Sequence, residues 1–222
     1  DAGFGSDLNL VPTGSSVTFF DQSTGNPTTW DWTFDGGNPG TYSGQIPPPI
    51  YYNTAGLYDV TLDVSNADGS DSETKTQYIE VVDYPAGWDF NITASSHLIS
   101  VPTSISFINN PLQYGDFFGV FYIDENGNEK CGGANVWDGT NNKVVVAFGD
   151  DMTTSAIKEG FVDGEDFIWK VFYTATSTEK YAEVTYNTAL PNHDGKFYDN
   201  GLSGLLSMDT DPLVVYGKAV PD

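Results

Sequence analysis

The chain has 222 residues, among them 31 acidic residues, 8 lysines and no arginine, and its formal net charge is −23 at pH 7. This charge repels nucleic acids and anionic membrane surfaces, so we expect neither as a partner. The length suits two domains of roughly 100 residues each. An aromatic content of 14% and the 24 glycines favour short strands joined by turns over helices. The acidity serves either solubility in a saline exterior or the binding of divalent cations.

Cys131 is the only cysteine, so the sequence allows no internal disulfide and no metal site built from several cysteines. A lone cysteine of this kind is typical of a small side chain that is buried in the core. No apolar run approaches the roughly 20 residues that span a bilayer, so membrane insertion is not expected. Because no signal peptide begins at Asp1, we expect a processed or excised segment, flanked by further domains of a longer chain.

The first third of the chain has the pattern of half-buried strands. Residues 16–20 predict a strand, and a cluster of turn formers follows them. In the next strand Trp30, Trp32 and Phe34 share one face, and two glycines then end the run. Apolar and polar residues alternate over residues 58–65, which is the period of two that a strand with one wet face requires.

These segments resemble the PKD domain family over about residues 8–82. The resemblance implies an immunoglobulin-like, seven-stranded sandwich that serves as a spacer or adhesion module in extracellular proteins. It places the first domain at residues 1–83. The matching motifs are VTF at residues 17–19, WTFDGG at 32–37, AGLYDVTL at 55–62 and NADG at 66–69.

Residues 84–222 read as a second all-β domain, because each connection between apolar runs offers Gly, Asn, Asp or Pro. The only helical signal, at residues 152–158, is weak. The fold class is therefore all-β, with two tandem antiparallel β-sandwiches, the first immunoglobulin-like. Strands of the second domain are predicted at residues 88–93, 104–108, 117–123, 143–148, 167–173, 180–186 and 213–216.

Three of these strands, at residues 117–123, 143–148 and 167–173, are apolar on both faces. A sandwich strand normally keeps one wet face, so we expect the outer faces to be covered, either by another part of the chain or by a partner.

Several short motifs lie along the second domain: GD at residues 115–116, CGG at 131–133, Trp137, GDD at 149–151 and EGF at 159–161. With these motifs the domain resembles, over about residues 88–208, a module of large cell-surface proteins that Gram-negative bacteria export through the type IX secretion system. The resemblance implies a location, secreted or at the cell surface, with no assigned activity.

Two acidic loops predict a cation site. Asp150 and Asp151 lie in one loop, and Asp163 and Glu165 lie in the other. Carboxylates are the ligands that Ca²⁺ prefers, and carboxylates that converge repel each other unless a cation or a lysine lies between them. We name these four residues as candidate Ca²⁺ ligands, with Lys158 or Lys170 as the competing ion-pair partner. The sequence DENGNE at residues 124–129 also carries oxygens but favours a hairpin turn.

The segment after residue 136 predicts a ligand site of another kind. Sugars stack on flat aromatic rings while amides and carboxylates bind their hydroxyl groups, and Trp137, Asp138, Asn141 and Asn142 bring both kinds into one loop. The alternative is that Trp137 ends a core strand.

No catalytic motif accompanies these residues. His97 and His193 are the only histidines, and neither stands in a recognisable arrangement. We therefore expect a non-catalytic extracellular or cell-surface module, a spacer and adhesion unit whose partner is a glycan or a surface protein. The alternative is an accessory or catalytic part of a secreted polysaccharide-degrading enzyme. A binding module should show a shallow face with exposed Trp or Tyr, whereas a glycosidase needs two carboxyl groups about 5 to 9.5 Å apart.

Overall fold

The computed structural model describes residues 1–151 and 157–210. The chain divides into two compact units, Asp1–Tyr84 and Pro85–Asp222, one residue from the boundary expected from the sequence. Strands and turns make up all regular structure in the described ranges, so the predicted all-β class of tandem sandwiches is confirmed. Of the helical signal predicted at residues 152–158, residues 157 and 158 are in no helix, and residues 152–156 lie outside the described residues, as does the strand predicted at residues 213–216.

The first unit is built from three sheets. A five-stranded sheet has the order β2-β10-β9-β5-β7, a three-stranded sheet has the order β3-β8-β6, and β1 pairs with β4. The neighbours are antiparallel except β2 and β10, which are parallel. The strands of the unit are β1 (Phe4–Ser6), β2 (Leu10–Pro12), β3 (Ser15–Val17), β4 (Phe19–Asp21), β5 (Thr29–Phe34), β6 (Gly37–Asn38), β7 (Thr41–Ser43), β8 (Ile50–Tyr52), β9 (Gly56–Asn66) and β10 (Gly69–Val82).

Aromatic packing between these sheets forms the core of the first unit. Trp32 and Phe34 of β5 are buried and stack with their ring centroids 5.7 Å apart. Phe4 of β1 meets Trp32 edge to face at 5.4 Å, and Phe19 of β4 lies 4.8 Å from Phe34. Trp30, on the same face, is half-buried, and its indole N–H donates to a carboxylate. The apolar face predicted for this strand is therefore the face that packs on the core.

The strand predicted at residues 16–20 is two strands in different sheets. The chain leaves the three-stranded sheet after Val17 and joins β1 from Phe19 onward. At the break, the Thr18 N–H donates to Asp7 Oδ1 at 2.9 Å, and the Asp7 N–H donates to Thr18 O at 3.0 Å. Val17 and Phe19 are both buried, so the side-chain alternation continues through the change of sheet and conceals it in the sequence.

The second unit has one large sheet of order β14-β13-β16-β17-β18-β11-β15, with β12 paired to β18. Neighbours are antiparallel except that β18 is parallel to β11 and to β12. The bounds of β13 and β15 are those predicted, and strands β11, β14 and β18 lie largely outside the predicted ranges. The described strands are β11 (Ser96–Val101), β12 (Ser106–Phe107), β13 (Phe117–Ile123), β14 (Glu129–Val136), β15 (Lys143–Phe148), β16 (Ile168–Tyr173), β17 (Thr178–Tyr186) and β18 (Gly201–Asp209).

The two end strands of this sheet, β14 and β15, approach each other. The Asn135 side-chain N–H donates to Val144 O at 2.9 Å. Gly133 lies so close to the backbone of Val146 that an added Cβ would overlap its carbonyl oxygen. The sheet therefore curls round its own core, and the two layers of the sandwich are parts of one sheet. The sequence did not predict β14 because Gly132-Gly133 reads as a break, whereas here glycine permits a close backbone approach.

Trp88 covers the outer face of β13 and β16. Its ring is 1% exposed and meets Phe121 edge to face at 5.0 Å and Phe172 at 6.4 Å. Gly119 lies beneath the ring, and the indole N–H donates to Glu179 Oε2 at 2.8 Å. The cover that the sequence required for these two strands is thus provided from within the chain.

Strand β15 differs from the other two strands that are apolar on both faces. Val144 is 41% exposed on its outer face, and Phe148 stacks on Phe90 with the centroids 5.7 Å apart. Residues 88–93, predicted as a strand, form none. Their aromatic side chains explain the apolar pattern, because Trp88 and Phe90 lie against neighbouring strands.

Replacing Trp88 tests the cover. We expect Trp88→Ala to lower the free energy of unfolding of the second unit by about 3–5 kcal/mol, since it opens a cavity over Gly119 and removes the indole N–H that Glu179 Oε2 accepts, while Lys170 remains paired with Oε1. Ile92→Ala is the matched control, because Ile92 lies in the same segment and is 80% exposed; its effect should stay within about 0.5 kcal/mol. Urea unfolding followed by circular dichroism measures both, and equal stabilities would contradict the assignment.

Candidate functional site

An acidic cleft opens beside the end of strand β13. Its volume is about 430 Å³, and its carboxylate lining comes from Asp89, Asp124, Glu125 and Glu159. Tyr122 forms part of the wall, and burial together with nearby carboxylates, first that of Asp124, raises the pKa of its phenol to about 12. The lining also includes Lys130 and Lys158, so its carboxylates outnumber its ammonium groups and the cleft has a net negative charge.

Glu159 of this cleft belongs to a group of three carboxylates. Oxygens of Asp150, Asp151 and Glu159 lie within 4.8 Å of one another. The sequence predicted the first two as ligands, and Glu159 is the third member that it did not predict. A donor set made only of carboxylates suits a hard cation such as Ca²⁺, which takes six to eight oxygens and completes its shell with backbone carbonyls or water. Calcium binding at this group stays a prediction.

The other two predicted ligands are engaged elsewhere. Glu165 accepts a hydrogen bond from the Lys158 ammonium at 2.6 Å and another from the Val162 N–H at 3.0 Å. Asp163 accepts the N–H of Asp199 at 2.8 Å. For Glu165, therefore, the ion pair with Lys158, which the sequence left open as the alternative, is the observed arrangement.

The turn at residues 124–129 is a hairpin turn between β13 and β14. Asp124 Oδ1 accepts the N–H groups of Asn128 at 2.8 Å and Asn126 at 2.9 Å. The first of these bonds contributes most to a lowered pKa of Asp124. Glu125, which accepts the N–H of Lys158, likewise has a lowered pKa. Hydrogen bonds within the turn thus keep Asp124 ionised, whereas Glu125 is kept ionised chiefly by the N–H of Lys158, which lies outside the turn.

Trp137 lies in the core and not on the surface. Its side chain is 5% exposed and meets Phe107 and Phe118 edge to face at 5.5 and 6.1 Å. The predicted alternative, in which this residue ends a core strand, describes its position, and its ring offers no open face to a sugar.

The polar residues after Trp137 stabilise their own loop. Asp138 forms a buried ion pair with Lys143 at 2.6 Å and accepts the N–H groups of Thr140 and Asn141, both at 2.9 Å. Burial alone would raise the pKa of Asp138, but the hydrogen bonds from Lys143, Asn141 and Thr140 together outweigh it and hold the pKa well below its usual value. Asn142 Oδ1 accepts the N–H of Thr103 at 2.9 Å. Ligand binding by these residues stays a prediction, and this geometry gives each of them a structural role.

His97 is fully buried and forms a pair with Ser203, with 2.5 Å between Nε2 and Oγ. The Tyr198 N–H donates to Nδ1, so the proton of the neutral ring lies on Nε2 and is donated to Ser203. A catalytic histidine must instead accept a proton from the serine. Burial lowers the pKa of His97, which keeps the ring neutral. The pair is a core hydrogen bond and not a nucleophile with its base.

Cys131 is a buried thiol, as the sequence predicted. Burial raises its pKa to about 12, so it is protonated and unreactive near neutral pH.

A second cleft, which the sequence did not predict, lies between the β12–β13 loop (residues 108–116) and the β16–β17 turn (residues 174–177). We call it the tyrosine cleft. Its volume is about 500 Å³, and Tyr114 and Tyr173 form its aromatic lining. Tyr114 is 58% exposed. One sequence feature could have indicated this cleft: an aromatic residue in a loop bounded by Pro and Gly. Such a residue lies outside any strand, so its side chain is not placed in the core of a sheet.

Comparison with protein families matches residues 5–79 to the PKD domain. The match lies within the first unit and supports the resemblance found there. PKD domains are β-sandwich modules of extracellular proteins, including surface proteins and enzymes. A search of curated proteins found no match. Within the described ranges, no helix has the length and apolar character needed to cross a membrane.

Calcium should stabilise the chain through the carboxylate group. At a Ca²⁺ concentration 100 times the dissociation constant, binding to the folded state alone adds about 2.7 kcal/mol, which raises the melting temperature above that in chelator. Asp150→Asn/Asp151→Asn should abolish this difference, whereas Asp163→Asn should keep it, because Asp163 binds a backbone N–H elsewhere. Calorimetry in Ca²⁺ and in chelator measures this difference in melting temperature. A wild-type melting temperature that is the same in both would contradict calcium binding at this group.

Acid should destabilise the second unit through His97. Its folded pKa lies below the usual 6.5, so the unfolded chain binds the proton more readily, and stability present above about pH 6.5 is lost as the pH falls. The slope from this one group cannot exceed about 1.4 kcal/mol per pH unit, the limit for a single proton. His97→Gln should remove this contribution, and His193→Gln, at an exposed turn, should retain it. Urea unfolding between pH 5 and 8 measures the free energy of unfolding as a function of pH. If this dependence is the same for the wild type and for His97→Gln, His97 does not cause the loss of stability in acid.

Proposed function

We propose that the chain is a non-catalytic module of an extracellular or cell-surface protein, in which the first unit is a spacer and the second unit binds glycans. The location is supported by the PKD match over residues 5–79, and export through the type IX system by the resemblance of residues 88–208 to modules of such proteins. Both support a position outside the cell.

The observation that carries the proposal is the tyrosine cleft. It is an open depression with an exposed aromatic ring, hydroxyl and amide side chains, and a predominantly apolar lining. Small-ligand sites combine an apolar and aromatic surface with a few polar groups that fix orientation. An exposed tyrosine on an open face is the feature expected of a binding module, and it supports the proposal.

The candidate catalytic groups support the non-catalytic assignment. His97 donates to Ser203 and cannot act as its base, and the Cys131 thiol is protonated near neutral pH. A glycosidase needs a carboxylic acid whose pKa is raised. In the acidic cleft, hydrogen bonds from the backbone lower the pKa of Asp124 and of Glu125 instead.

The experiment is a glycan array probed with the full chain, with and without calcium, beside assays for release of reducing sugar from the polysaccharides bound. We expect binding to at least one class of glycan and no release of sugar, because the cleft offers recognition groups without an acid and base pair. Release of sugar by the purified chain would favour the enzyme alternative. Absence of binding to every glycan would remove the glycan function and leave the spacer role alone.

A further inference from the structure

We propose that the tyrosine cleft binds acidic sugars, meaning glycans whose units carry a carboxylate. Tyr114 is the stacking surface, and Lys180 is the partner of the carboxylate. The inference rests on the proposed function, glycan binding by the second unit, and names its site and its ligand class.

One buried carboxylate fixes both walls of the cleft. Asp116 accepts the N–H of Gln113 in the β12–β13 loop at 2.8 Å and the N–H of Thr174 in the β16–β17 turn at 2.9 Å. The Thr174 hydroxyl adds a bond to Gly115 O at 2.6 Å. The walls are therefore joined before a ligand arrives, which lowers the ordering cost of binding. Both oxygens of Asp116 serve this joint, so its charge is directed to backbone N–H groups and not to the ligand.

The two tyrosines give the cleft its aromatic surface. Tyr173 is half-buried, and its hydroxyl donates to Asn110 O at 2.7 Å, which fixes the ring between the walls. Tyr114 stands on the loop with more than half of its surface exposed. Tyrosine provides a large, rigid and amphipathic contact surface at a low cost in conformational entropy. Thr176 and Thr178, whose hydroxyls lie 2.7 Å apart, line the same cleft and can exchange hydrogen bonds with the hydroxyls of a sugar.

The charge that the cleft offers to a ligand is positive. Side chains alternate along β17, so Lys180 lies on the face of Thr178, while Glu179 lies on the opposite face and pairs with Lys170 at 2.8 Å. Lys180 forms no ion pair with any residue in the described ranges. The many distant carboxylates of the chain are screened, since the Debye length is about 8 Å at physiological ionic strength. A ligand carboxylate that enters the cleft can therefore form an ion pair with the Lys180 ammonium group.

Titration calorimetry of the full chain tests the inference. The probes are trisaccharides of galacturonate and mannuronate, compared with galactotriose and mannotriose respectively as the neutral counterparts. We expect at least one uronate to bind about tenfold or more tightly than its counterpart, with an affinity that falls as salt rises. Tyr114→Ala should weaken binding about tenfold or more, and Tyr114→Phe should keep it within about twofold, because the ring face and not the hydroxyl makes the contact.

Two further variants separate charge from fold. Lys180→Gln should weaken uronate binding about tenfold and flatten its salt dependence, whereas Tyr51→Ala, at an exposed tyrosine of the first unit, should change neither. Unchanged circular dichroism spectra establish that each variant is folded. Full uronate binding by Tyr114→Ala or by Lys180→Gln overturns the site. Preference for neutral glycans overturns the ligand class while glycan binding stands, and absence of binding to any glycan overturns both the inference and the proposed function.

Discussion

Each unit of this chain encloses its core with strands alone, because no helix lies among the described residues and the single cysteine can form no internal disulfide. In the second unit one sheet meets this constraint by bringing its end strands together at Gly133, where a Cβ would overlap the backbone of Val146. The closure leaves β13 and β16 in the sheet interior with a second apolar face, which Trp88 then covers. The loops that form the acidic and tyrosine clefts extend from the ends of these same two strands.

Several acidic residues of this chain stabilise its turns and loops. Asp116, Asp124 and Asp138 each accept two or more backbone N–H groups and so hold a turn or join two loops. Ionised carboxylates are strong acceptors, and such bonds lower the pKa values of Asp124 and Asp138 and keep these two groups charged. The same bonds remove Asp124 and Asp138 from acid–base chemistry, which requires a carboxyl group that gains and loses a proton near neutral pH. The group at Asp150 differs because its carboxylates face one another.

Placement of the aromatic residues separates the two functional alternatives better than composition does. Trp137 is in the core, whereas Tyr114 is on an open surface. A sequence that is rich in aromatics on many short strands gives both residues the same appearance, since each lies beside Gly, Asp and amide side chains. The difference between the two positions has a physical cause in Asp116, which joins the β12–β13 loop to the β16–β17 turn. The fixed loop presents Tyr114 outward, across from that turn.

The sequence by itself determined the all-β class, the inward face of Trp32 and Phe34, the hairpin turn at residues 124–129 and the burial of Cys131, because local alternation, turn chemistry and residue size govern these features. It did not determine β14, whose Gly132-Gly133 serves a contact with a strand ten residues further on, nor the change of sheet at Thr18. It also did not determine the partners of the carboxylates. Glu165 pairs with Lys158 and Glu159 joins Asp150, and such pairings depend on which loops meet. Only the tertiary structure decided this, because side chains far apart in sequence become neighbours when the sheet closes.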